Sequence, residues 1–148
     1  MRPARAVTIT VNSFADTVAN DGFCTLPEAL AAANDDASFN SMPGECPAGH
    51  GADTIELPPG TYTLTNIDNK IFGSTALPVI NSKITIDGSG ATIIRDTAAP
   101  PFRIFFVEPD GNLILNGVTV ANGLAAPQGL DTSGSGGAIL NGGTLTLN

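Results

Sequence analysis

The chain has 148 residues, 42% of them hydrophobic, which is enough for one domain with a real core and argues against disorder. Six Lys plus Arg against fourteen Asp plus Glu leave a formal net charge of −8. That balance argues against nucleic acid or an anionic membrane as partner, since both need clustered positive charge. No Trp and one Tyr, set against 17 Gly and 11 Pro, match many short strands joined by tight turns. No stretch approaches the run of about 20 apolar residues that a membrane span requires.

The chain opens with Met1-Arg-Pro-Ala-Arg-Ala6, whose last three residues form the small-x-small pattern found at the end of a signal peptide. Val7, Ile9 and Val11 then alternate with Thr8 and Thr10, the period of a half-buried strand. A helix is predicted from Leu26 to Asn34. Thr25 is its N-cap and Glu28, three residues on, completes a capping box, while Pro27 sits in the first turn where a missing donor costs little. Leu26, Ala29, Leu30 and Ala33 form one apolar stripe, too short to be stable unless it lies on something. The two cysteines, Cys24 and Cys46, flank this helix and its following loop. A disulfide between them would close a loop of about twenty residues, worth roughly 3 kcal/mol in the chain-entropy estimate. Two buried thiols are the other reading.

Alternation returns at Tyr62 and Leu64, at Ile84 and Ile86, at Leu113 and Leu115, at Val118 and Val120, and at Leu145 and Leu147. Most of these runs are followed by Gly or Asn-Gly, as at Asp87-Gly88, Asn116-Gly117, Asn122-Gly123 and Asn141-Gly142. Asn-Gly can close a two-residue hairpin, which would make an antiparallel sandwich. The spacing favours a stack instead. Comparable units recur about every thirty residues, and Phe102-Arg-Ile-Phe-Phe-Val107 is echoed at Gly136-Gly-Ala-Ile-Leu-Asn141. The expected fold is therefore all-β: a right-handed parallel β-helix, or solenoid, with a short N-terminal capping α-helix. Residues 1–60 form the cap region with the first strand and the helix, and 61–148 form the coils. Insertions at 66–74 and 125–135 should be loops on one face. The last alternating strand stops at Asn148, and we read the chain as incomplete there, with further C-terminal coils as a partner.

Cys24-Thr-Leu-Pro-Glu-Ala29, Ala32-Ala-Asn34, Cys46 and Asp53-Thr-Ile-Glu-Leu-Pro-Pro-Gly-Thr-Tyr-Thr-Leu-Thr65 resemble the bacterial CSLREA-type N-terminal domain. Thr25 stands where that signature has Ser, which keeps the cap, and Pro27 where it has Arg. The tail Gly136-Gly-Ala-Ile-Leu-Asn141-Gly-Gly-Thr-Leu145 is similar to the Gly-Gly-Ala-Ile repeat of polymorphic outer-membrane proteins. The resemblance implies a parallel β-helix in a secreted or surface protein. It fixes no ligand and no reaction.

Chemistry is sparse. Gly49-His50-Gly51 and Asp35-Asp36 look like pieces of a polygalacturonase site, which uses paired aspartates, yet both precede the first clear coil and read as loop decoration. His50 is the one histidine, and no Gly-x-Ser-x-Gly turn is present. Arg95, Asp96 and Arg103 would be the groups for lyase chemistry, without a convergent cleft to put them in. Asp16, Asn20, Asp21, Asp35, Asp36, Asp87, Asp96 and Asp110 offer hard oxygens to calcium, but form no EF-hand loop and no nonapeptide array. Thr-x-Thr runs at Thr8/Thr10, Thr61/Thr63 and Thr144/Thr146 suggest an ice-binding ladder, broken at Asp87 and Ala121. No catalytic, cofactor or metal residues are assigned.

The expected function is a non-catalytic extracellular or cell-surface scaffold, adhesin-like, with a surface glycan or protein as ligand. Self-association through the exposed last strand is expected as well. The alternative is a fragment of a polysaccharide-degrading enzyme, a lyase or glycoside hydrolase, with its active site in further coils.

Overall fold

The structure, a computed structural model, describes residues 5–39, 45–125 and 136–148. Ala4, the first residue of the small-x-small motif, and all but the first residue of the insertion at 125–135 lie outside the described residues. The element order is β1 (Thr8–Thr10), α1 (Leu26–Asp35), β2 (Asp53–Glu56), β3 (Gly60–Leu64), β4 (Lys83–Arg95), β5 (Phe105–Val107), β6 (Asn112–Ala121), β7 (Ile139–Asn141) and β8 (Thr144–Leu147).

Six strands form one sheet in the order β1-β2-β4-β6-β8, with β3 beside the second half of β4, and β5 and β7 form a separate pair. Every ladder between these strands is parallel, so the hairpin reading of Asn-Gly does not hold. The stacking interval is visible in the register: Asp53 faces Ile84, Ile84 faces Leu113, and Leu113 faces Leu145. The echo between the Phe102 and Gly136 segments is a physical pairing, with Phe105 opposite Ile139 and Val107 opposite Asn141. In β4 the register breaks between Asp87 and Ala91, where Gly90 at φ +84° lets the strand turn from its β2 partner to its β3 partner. Gly117 at φ +63° sits at the matching break in β6, which keeps β4 as its partner on both sides.

The expected right-handed parallel β-helix, an all-β solenoid, is corrected by this architecture. The described residues give a mixed structure, one short helix with eight short strands in parallel sheets, and neither a solenoid nor a closed sheet. The physical reason lies in the connections. Between β3 and β4 and between β4 and β5 the chain passes Pro78, Pro100 and Pro101, which have no N–H to give to a ladder. There the strands are replaced by isolated bridges, such as Thr75 with Arg103 and Ile80 with Val107. Alternation and period report which residues stack, and are silent on whether the intervening chain completes a wall.

Apolar residues of alternating parity meet in one core. Ile9, Ile55, Ile84, Ile86, Ile93 and Leu113 from the large sheet join Phe105 of β5 and Phe102 and Leu77 from the connections in one cluster, all fully buried. The apolar stripe of α1, Leu26, Ala29, Leu30 and Ala33, joins the same cluster, and the helix lies against β1, β2 and β4. It ends on Asp36, a left-handed residue at φ 50° whose amide donates to the Ala32 carbonyl.

Candidate interaction surface

Several charged side chains of this protein turn toward its own backbone. Glu28 is fully buried, and its carboxylate accepts the Thr25 amide at 3.0 Å, closing the helix start, and the Ala19 amide at 2.7 Å. The Thr25 hydroxyl donates to the Thr17 carbonyl at 2.8 Å. The cap residues thereby hold the 13–24 segment as well as the helix. Cys24 and Cys46 are joined as a disulfide with their Cα atoms 4.8 Å apart, tying the same segment to the loop after the helix. Beside it, Glu45 accepts the Asp21 and Gly22 amides at 2.7 and 2.9 Å.

The same device recurs elsewhere. Buried Asp53 accepts the Val7 amide at 3.0 Å and the His50 amide at 2.9 Å, and Asp16 accepts the Thr65 and Asn66 amides at 2.6 and 3.0 Å. Arg95 donates from Nε to the Asn122 carbonyl at 2.7 Å and from Nη1 to the Asp96 and Ala99 carbonyls at 3.0 and 2.8 Å. Its guanidinium lies 5.8 Å from the centroid of the Phe102 ring. Arg103, fully buried, donates to the Gly136 and Phe72 carbonyls. In a low-dielectric interior these charge-assisted bonds are the stronger kind, and each satisfies backbone groups that the irregular connections would otherwise strand.

Six charged side chains therefore act as struts, and sequence reasoning singled out only some of them. Parity held a signal for the burial of two of them, Asp53, which that reasoning passed over, and Arg95, which it named only for lyase chemistry. Asp53 shares the inward parity of Ile55 and Leu57, and Arg95 that of Ala91 and Ile93, so both had to be buried and therefore bonded. The partners given above for Arg95 and Arg103 are backbone carbonyls, and the two guanidinium groups serve different connecting segments. Gly49-His50-Gly51 does not form a site with Asp35 and Asp36: the Gly51 amide donates to Asp36 at 2.8 Å, tying that loop to the end of the helix.

Other aspartates with calcium-type chemistry serve turns, Asp21 accepting the Phe23 amide and Asp96 the Ala98 amide. Among the described residues no three His, Cys, Asp or Glu side chains come together as a metal-ligand set.

The outward positions of the large sheet are rich in threonine. The register places Thr8, Thr54, Thr85, Ile114 and Thr146 in one outward column, and Thr61, Thr92 and Thr119 in another. The column beside the first reads Thr10, Glu56, Asp87 and Asn116, so the paired flat ladder that ice binding would need is interrupted by carboxylates.

The inward column tells a different story at the two edges. Ile9, Ile55 and Ile86 are fully buried and Leu115 is 2% exposed, whereas Leu147, next in register, is 64% exposed. Around it, Leu115, Val118, Val120, Ala138, Ile139 and Leu147 line an open hollow of about 260 Å³ along the β8 edge. A second apolar groove of about 230 Å³ runs between Phe72, Phe106, Pro109 and Leu140, with the two rings edge to face at 5.3 Å. A larger, more polar cavity of about 460 Å³ lies by the helix start, between Asp16, Thr17, Pro27, Asn66 and Asp68.

Among the described residues no helix is long and apolar enough to cross a membrane. Compared with known protein families, curated proteins and solved structures, the chain matches none.

Proposed function

We propose that this chain is a non-catalytic extracellular module, a rigid scaffold of adhesin-like character that presents its hydroxylated outer face to a surface glycan or protein. One observation carries this reading. Asp16, Glu28, Glu45, Asp53, Arg95 and Arg103 each bond two or more backbone groups of connecting segments. Charge is spent on holding irregular chain in place, which is what a static presenting surface needs. Acid–base chemistry would instead need free carboxylates and bases gathered around a substrate.

A disulfide across the helix suits an oxidising compartment, and the resemblance of 24–65 to the CSLREA-type domain points the same way. The Thr columns supply evenly spaced donors and acceptors at the strand spacing of about 4.8 Å.

The experiment is a panel of immobilised surface polysaccharides and matrix proteins, including polygalacturonate, with retention and turnover followed together. Retention of the chain on one class, with no release of reducing ends or unsaturated sugars, is the expected result. Steady product release from any polysaccharide would overturn the non-catalytic reading. Absence of retention across the panel would overturn the adhesin-like one.

A further inference from the structure

The chain holds three Asn-Gly pairs, Asn116-Gly117, Asn122-Gly123 and Asn141-Gly142, and the fold treats their amides differently. The Gly117 amide donates to the Asn148 carbonyl at 3.0 Å, and the Gly142 amide to the Val107 carbonyl at 2.7 Å. The side chains of those two asparagines are engaged as well, Asn116 accepting from Asn148 Nδ2 at 2.8 Å and Asn141 from the Gly143 amide at 3.1 Å. The Gly123 amide has no hydrogen-bond partner among the described residues, and Asn122 is exposed. The fold itself demands this pair. Asn122 sits at φ 60°, a left-handed conformation that asparagine tolerates better than most residues, and a Cβ on Gly123 would overlap the Ala138 backbone.

What sets Asn122 apart is its carbonyl. The oxygen accepts the Nε–H of Arg95 at 2.7 Å, a short, charge-assisted bond. Arg95 is 7% exposed, and its Nη1 is fixed on the Asp96 and Ala99 carbonyls. When the Gly123 peptide nitrogen loses its proton, the negative charge is shared between that nitrogen and the Asn122 carbonyl oxygen. A guanidinium held on that oxygen stabilises the anion, as a preorganised donor does wherever negative charge develops, and it stays protonated at any working pH.

From this geometry we infer that Asn122-Gly123 is a self-modification site, at which Arg95 promotes succinimide formation. Hydroxide takes the Gly123 amide proton, the nitrogen bonds to Cγ of Asn122, and the Cγ–Nδ2 bond breaks, the nitrogen leaving as ammonia with a proton from water. Water then adds to one of the two ring carbonyls and opens the ring, leaving aspartate or β-linked isoaspartate. Glycine sets no side chain over the attacking nitrogen. At the other two pairs a hydrogen bond on the glycine amide has to be surrendered first, which slows attack by roughly fivefold, whereas the charge-assisted bond on the forming anion speeds it by roughly tenfold. Folding should therefore accelerate the reaction at Asn122 and retard it at Asn116 and Asn141.

The test uses the full chain and does not depend on the ligand of the outer face. The protein is held at mildly alkaline pH, native and in guanidinium chloride, and peptides are followed by mass spectrometry with enzymatic methylation of isoaspartate. Unfolded, the three pairs should react at similar rates. Native, Asn122 should react roughly tenfold faster than in denaturant and the other two more slowly than in denaturant. Asn122→Gly, which keeps the left-handed turn, should abolish that product alone. In Arg95→Met the native rate at Asn122 should fall toward the denatured rate, whereas an arginine that merely braced the segment would, on removal, let the rate rise. The inference is overturned if Asn122 reacts no faster folded than unfolded, if Asn116 or Asn141 reacts first in the native chain, or if Arg95→Met matches or exceeds the parent at Asn122.

Discussion

Leu147 stands directly opposite Leu115 in the parallel ladder of β6 and β8, yet one is 64% exposed and the other 2%. The two residues share type, parity and backbone conformation. The difference is cover: Leu115 has a strand on each side and Leu147 has one. A column of five inward aliphatic residues thus runs from fully dry to mostly wet across a single sheet, and the sheet has a direction, covered at β1 and open at β8.

The Cys24–Cys46 disulfide closes a separation of 22 residues. The double variant Cys24→Ser with Cys46→Ser should lose about 3 kcal/mol, mainly through the freer unfolded chain. Urea unfolding checks this: the midpoint should fall and, with two-state behaviour kept, the loss should appear as a shifted curve.

Glu28 is buried with two backbone amides on its carboxylate. Glu28→Gln keeps the shape, but turns one acceptor into a donor facing an N–H. The loss should be about 1–3 kcal/mol, and Glu28→Ala should lose at least as much because both amides are stranded. Hydrogen exchange should report it locally, with the Ala19 and Thr25 amides losing protection first.

Arg95 reaches three carbonyls with one planar group. Arg95→Lys keeps the charge but cannot fork, so it should destabilise by about 2–3 kcal/mol, nearly as much as Arg95→Met. Equal stability of Arg95→Lys and the parent in thermal unfolding would show that charge alone matters there.

Tyr62 is the single tyrosine, its ring buried against Phe14 at 4.9 Å and its hydroxyl donating to the Pro58 carbonyl at 2.8 Å. Burial raises its pKa above the ordinary 10.0, because the phenolate is desolvated. A raised folded pKa means that this contribution is fully present below pH 10 and is lost as pH rises through the folded value. Ultraviolet titration should show phenolate appearing at higher pH in the native protein than in urea. In Tyr62→Phe that alkaline decline in stability should shrink.

Gly111 is pressed so closely against the Ile80 carbonyl oxygen that a Cβ there would overlap it, and the Gly111 amide is itself bonded to Glu108 at 2.8 Å. Gly111→Ala should cost about 1–3 kcal/mol or more. Gly137, where a Cβ would meet only the Gly123 carbonyl at 3.7 Å, is the matched control, and Gly137→Ala should unfold close to the parent.

Local pattern specified much of this protein. The alternation of Ile84, Ile86, Leu113 and Leu115 set which side chains face inward, the interval near thirty residues set which strands stack, and Thr25, Pro27 and Glu28 set where the helix begins, because side-chain parity, strand rise and capping act over a few residues. Asp53 and Arg95 share the inward parity of their strands, a signal the sequence reading did not take up, and their partners, the Val7 amide and the Asn122 carbonyl, come from distant segments that only folding brings together. Tertiary structure alone decided that the connections fail to complete a closed wall, since that depends on prolines and buried arginines competing with ladder bonds across the whole core. It alone decided, too, that Leu147 is wet and Leu115 dry, because exposure is a property of neighbours and not of sequence position.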